Sequence, residues 1–94
     1  MSGGHFDYGC FKVSQFAEEV IHEIDINDSE HTDSDGWKVG MHLEPETLKM
    51  VKRVGETLKL AGELAYATEW LYSGDYGEDT YRNKVEEIYK KYQE

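Results

Sequence analysis

The strongest constraint on this chain is a long stretch without a helix breaker. It opens at Glu44-Pro45-Glu46 and closes at Ser73-Gly74. Proline at the first helical position loses no hydrogen bond that the helix needs, and acidic residues suit the positive end of the helix dipole. The stretch therefore predicts one helix over residues 45–73, which spans about 42 Å at 1.5 Å per residue. Its apolar pattern is double. Leu48, Val51, Gly55, Leu58, Gly62, Ala65 and Tyr72 follow one 3-4 spacing that Glu69 interrupts, and Met50, Val54, Thr57, Ala61, Leu64, Thr68 and Leu71 follow a second. Two adjacent stripes predict a wide buried face. Gly55, Ala61, Gly62 and Ala65 leave a shallow groove where another helix backbone can approach closely, although each helical glycine costs up to about 1 kcal/mol relative to alanine. A homodimer through the Gly55/Gly62 face is one way to fill that groove.

Two shorter helices are predicted around it. Val13, Phe16, Ala17, Val20, Ile21 and Ile24 recur at helical spacing and predict a helix over residues 15–26, with Ser14 as N-cap and Glu18 and Glu19 near its positive end. Gly74 is the expected left-handed terminator of the long helix. A third helix follows over residues 80–93, with Asp79 as N-cap and Tyr81, Val85, Ile88 and Tyr92 on one face. Residues 27–44 form an acidic loop, in which Trp37, Val39 and Met41 alternate with Lys38, Gly40 and His42 and predict a short strand or hairpin in the 36–43 region. The expected fold is mainly α: one three-helix domain over residues 1–94, with a long central helix.

Charge is distributed unevenly over these segments. Acids and bases number 10 and 2 in residues 1–44, 4 and 4 in 45–73, and 6 and 4 in 74–94. The net values of -8, 0 and -2 account for the total of -10. Glu18, Glu19, Glu23, Asp25, Asp28, Glu30, Asp33 and Asp35 fall within 18 residues that contain no lysine or arginine. Such a cluster projects a negative potential over about a Debye length, ~8 Å at physiological salt, and steers basic partners toward it. It also repels phosphate, so direct nucleic-acid binding is not expected. The same charge helps keep a small protein soluble, but solubility does not require clustering. Trp37, isolated in the polar loop, is the large residue expected to be most exposed and joins the eight acids as a partner-binding candidate.

Chemistry finds little support. Zinc spacing of the CxxC or HxxxH kind does not occur among His5, Cys10, His22, His31 and His42. The segment beginning Asp25-Ile-Asn27 starts like a calcium loop but has Glu30 where glycine is required and Gly36 where the bidentate glutamate is required. Cys10 with a histidine is the only nucleophile–base pair available, and a lone small thiol is more often simply buried. The reading is therefore of a non-enzyme without metal or cofactor. A ligand- or metal-binding module built on His5, Cys10 and the aromatic residues is the alternative. With one cysteine, no apolar leader and no apolar run of ~20 residues, the expected setting is the cytoplasm, without a membrane partner.

Two segments, Met1-Ser-Gly-Gly-His-Phe-Asp-Tyr8 and Glu69-Trp-Leu-Tyr-Ser-Gly-Asp-Tyr-Gly-Glu-Asp79, resemble a group of small proteins of phages, prophages and bacterial genomes. That group shares an MSGG start followed by aromatic residues and a Trp-x-x-Ser-Gly-Asp segment. The resemblance covers about 20 residues and carries no site residue across. It implies a phage or mobile-element origin and a shared unit in which the aromatic start lies against the Trp70–Asp79 turn. Phages encode many small acidic inhibitors of host defence, including anti-CRISPR proteins and DNA mimics. By that analogy, the expected function is inhibition of a host nucleic-acid-binding protein by occupation of its basic surface. A dimeric helical structural subunit is a further alternative.

Overall fold

The computed structural model describes residues 4–37 and 39–93. Three helices follow one another: α1 (Gly9–Asp25), α2 (Pro45–Tyr72) and α3 (Glu78–Lys91). The mainly α fold with a long central helix is thus present. Both α1 and α3 pack on α2 and do not pack on each other. The Cα atoms extend 51 × 32 × 12 Å, so the molecule is a slab one helix diameter thick. Its radius of gyration is 17.1 Å, against about 12 Å for a compact domain of this length.

Helix α1 starts six residues earlier than its predicted first residue. Ser14 is not its N-cap but an interior residue, because the chain enters α1 through a left-handed turn at Asp7 and Tyr8 with φ of 57° and 55°. The Asp7 N–H donates to the Gly4 carbonyl at 3.0 Å and the Gly9 N–H to the Phe6 carbonyl at 3.1 Å. Cys10 then extends the apolar register one turn upstream and is buried with Ala17. Glu18 and Glu19 consequently lie in mid-helix, beyond reach of the N-terminal dipole, which acts over a single turn.

Helix α2 begins at Pro45 as expected. It ends in a Schellman motif: the Gly74 N–H donates to Leu71 O at 3.1 Å and the Asp75 N–H to Trp70 O at 2.9 Å, with Gly74 at φ 85°. Gly77 caps α3 in place of Asp79. Asp79 lies in the first turn instead and pairs with Arg82.

No strand forms among the described residues. A β-bridge at Thr32 is present: the Asp33 N–H donates to Trp37 O at 2.8 Å and the Val39 N–H to His31 O at 3.0 Å, which folds a narrow hairpin turn, and Lys38 of the predicted strand or hairpin lies outside the described residues. Beyond that turn, extension stops where Gly40 is buried against the α1 C-terminus. A Cβ there would sit 2.2 Å from Ile26 O. Buried Asn27 pins the return of the loop, donating from Nδ2 to Leu43 O at 3.3 Å and accepting at Oδ1 from the Leu43 N–H at 3.0 Å.

The groove predicted at Gly55 and Gly62 is filled from within the chain. A Cβ on Gly62 would lie 2.7 Å from Ser14 Oγ, whereas one on Gly55 would meet Ile21, Ile24 and Val20 at 3.7–3.9 Å. Helix α1 therefore occupies this seam, and the homodimer predicted through the Gly55/Gly62 face has no surface left there. The two glycines should respond oppositely to substitution. Gly55→Ala is expected to stabilise by about 0.5–1 kcal/mol through helix propensity, and Gly62→Val to destabilise by about 1–3 kcal/mol through overpacking. Urea unfolding followed by circular dichroism measures both.

Candidate functional site

All nine partner-binding candidates are exposed. Glu18, Glu19, Glu23 and Asp25 project from α1, and Asp28, Glu30, Asp33, Asp35 and Trp37 follow in the loop. Glu18 and Asp25 also border a groove with Lys59, Glu63 and Lys91. Within α1 and the loop, no lysine or arginine occurs from Val13 to Trp37. Not every acid is purely a surface charge. Asp33 Oδ1 accepts the backbone N–H groups of Asp35 at 2.9 Å and Trp37 at 3.1 Å, so this carboxylate builds the loop tip, while Asp28 Oδ1 accepts from Asn27 Nδ2 at 3.0 Å. Trp37 is 74% exposed.

A second assembly, at the other end of α2, joins aromatic rings. Tyr66 and Trp70 stack at 4.2 Å between centroids, Phe11 meets both edge-on at 6.1 Å, and Phe6 meets Tyr72 at 5.4 Å. The start of the described chain is thereby held against the end of α2, and the His5 N–H donates to Ser73 Oγ at 2.9 Å. Beneath these rings lies Glu69, which is 1% exposed. Its Oε2 accepts the Phe6 N–H, and its Oε1 is buried without a hydrogen-bond partner among the described residues. In sequence Glu69 reads as a break in the first stripe. Its spacing of seven from Gly62, itself seven from Gly55, is the signal that places it on the α1 seam.

Cys10 packs beside it. Burial, then the charge of Glu69, pushes the Cys10 thiol above its ordinary 9.0, which disfavours the reactive thiolate. Among the described residues, no three His, Cys, Asp or Glu side chains converge as metal ligands. His5 instead lies against the rings of Phe6 and Tyr72. No helix among the described residues is long and apolar enough to cross a membrane.

A third cluster ties α3 to α2. Lys91 Nζ donates to Glu63 Oε1 at 2.8 Å, and the Tyr92 hydroxyl donates to Glu63 Oε2. Burial opposes ionisation of Glu63, but the hydrogen bonds from Lys91 and Tyr92 and the charge of Lys91 more than offset it and hold the carboxyl below its ordinary 4.5. Burial and the Glu63 carboxylate push Tyr92 up to about 12. With the geometry of these three clusters in hand, comparison with protein-family models, curated proteins and solved structures finds no match to the chain.

Two outcomes follow from these contacts. The Glu63 contribution is whole above pH 4.5 and disappears as pH falls through its lowered pKa. The Tyr92 contribution is whole below pH 10.0 and disappears as pH rises toward about 12. Solvent screens the Glu63–Lys91 pair, whose side chains are 36% and 62% exposed, so the acid limb is expected to be only about 0.5–1 kcal/mol. Thermal unfolding between pH 3 and 12 shows it as a limb that Glu63→Gln removes. Separately, Glu69→Ala leaves the Phe6 N–H without its acceptor and should cost about 1–3 kcal/mol. Hydrogen exchange should localise the loss to residues 5–12.

Proposed function

We propose that this chain is an interaction protein whose acidic edge occupies a basic, nucleic-acid-binding surface of a host protein. The observation that carries this reading is the exposure of Glu18, Glu19, Glu23, Asp25, Asp28, Glu30, Asp33 and Asp35 on α1 and the loop after it, a stretch of sequence without lysine or arginine. A one-layer slab suits this use, because an edge one helix thick can enter a groove that a globular protein cannot. The ordered loop supports it further. Asn27, Gly40 and the Asp33 turn hold the loop carboxylates in place, which lowers the ordering cost of association. Trp37 supplies an exposed indole beside the acids, the residue type that most often anchors an interface. An anti-defence role in a phage is the biological form of this reading, supported by the charge pattern and by the resemblance of the two terminal segments to small phage proteins.

Long-range attraction to a basic groove is screened by salt, whereas apolar contacts are not. Capture from a bacterial lysate at 50 and 500 mM salt, with wild type and the Glu19→Lys/Glu23→Lys/Asp28→Lys variant, tests the reading. The expected partner is retained by wild type at low salt, is released at high salt, loses at least tenfold in affinity for the triple variant, and is displaced by duplex DNA. A partner held equally by the triple variant overturns the proposal.

A further inference from the structure

Glu69 is a buried carboxylate that the fold only half uses. It is 1% exposed, and the Phe6 N–H occupies its Oε2. Oε1 has no hydrogen-bond partner among the described residues. An acceptor in that position is costly, because it has given up water and received no donor in exchange. The neighbouring side chains do not supply one. The Thr68 hydroxyl donates its single hydrogen to Leu64 O at 2.8 Å and shares its oxygen with the Tyr81 hydroxyl at 2.9 Å, and the thiol of Cys10 is a weak donor.

The same carboxylate belongs to a groove. Glu69 and Cys10 line an open, largely apolar space of about 470 Å³ whose walls include Phe6, Ala61, Leu64 and Ala65. That volume falls within the ~300–1,000 Å³ of small-molecule sites. No lysine, arginine or histidine lines it, so Glu69 has no counterion there.

Each of these features restricts the ligand. A negative group with one vacant acceptor oxygen calls for a cation that carries an N–H donor. Because Phe6 already holds Oε2, a guanidinium cannot grip both oxygens in its usual fork, whereas an ammonium needs only one. Carbon walls call for an apolar body behind that ammonium, and the low dielectric around Glu69 strengthens its attraction for the head group. We propose that this groove is a binding site for a small primary amine with an apolar body, its ammonium donating to Glu69 Oε1 and its hydrocarbon lying against Phe6, Ala61 and Leu64. Phe6 is 51% exposed, and the turn after it holds Asp7 and Tyr8 at φ of 57° and 55°, a conformation that costs residues with side chains energy. Phe6 on this strained turn is the wall that yields when the head group enters.

Titration of the full chain at pH 7 with n-hexylammonium, n-hexanol and hexanoate, followed by amide chemical shifts, tests this. Hexylammonium is expected to shift the Phe6 and Cys10 amides and to bind at least tenfold more tightly than hexanol, and hexanoate is expected not to bind. Glu69→Gln keeps an acceptor for the Phe6 N–H but removes the charge. It should lower hexylammonium affinity at least tenfold while the helical circular dichroism is unchanged. Should that variant fail to fold, Ala61→Leu decides, because it fills the groove with Glu69 intact and should also lower hexylammonium affinity at least tenfold. Equal binding of hexylammonium and hexanol to wild type overturns the proposal, and is the result expected where a proton or a buried water satisfies Oε1. So do the lack of saturable hexylammonium binding up to about 20 mM, hexylammonium held equally by either variant, and shifts confined to the acidic residues of α1 and its loop.

Discussion

Everything in this molecule depends on α2 being the only surface that the other helices share. Helices α1 and α3 flank it without touching each other, so the packing is two seams in series and no interior is enclosed. Among the described residues, the only buried apolar side chains are Cys10, Ala17 and Ala67. In such an arrangement the closeness of the seams replaces the depth of a core. Gly62 admits Ser14 to a distance that no side chain would allow, and Glu69 accepts a backbone hydrogen bond from the turn that opens α1. The second seam relies on Glu63, Lys91 and Tyr92 and is more exposed to solvent. Seams of unequal burial open at unequal free energies, which makes α3 the element that loosens before α1.

The flatness also explains how one short chain separates its chemistry so sharply. A globular domain has a single continuous surface, whereas a slab has two faces and a rim. Here Glu18 and Asp25 of α1 share one groove with Lys59, Glu63 and Lys91, whereas Phe6, Cys10, Ala61, Leu64 and Ala65 line a second, largely apolar groove with Thr68 and Glu69.

Much of this was legible in the sequence, because the pattern of α2 leaves few alternatives. Pro45 and Gly74 set its ends, and the two stripes named its two apolar faces. What the pattern did not reveal is which stripe the chain covers itself. Both had small residues, and only the position of Cys10 relative to Val13 and Ala17 connects α1 to the glycine stripe. The start of α1 was hidden for a related reason. Asp7 and Tyr8 adopt positive φ although neither is glycine, and what holds them there is tertiary: the rings of Trp70 and Tyr72 and the Glu69 carboxylate. Glu69 itself looked like an interruption because a carboxylate in an apolar stripe is normally a surface residue. The strand or hairpin expected near Trp37 is shortened to the bridge at Thr32, because the Gly40 backbone packs against the end of α1 where alternation alone would have kept it extended.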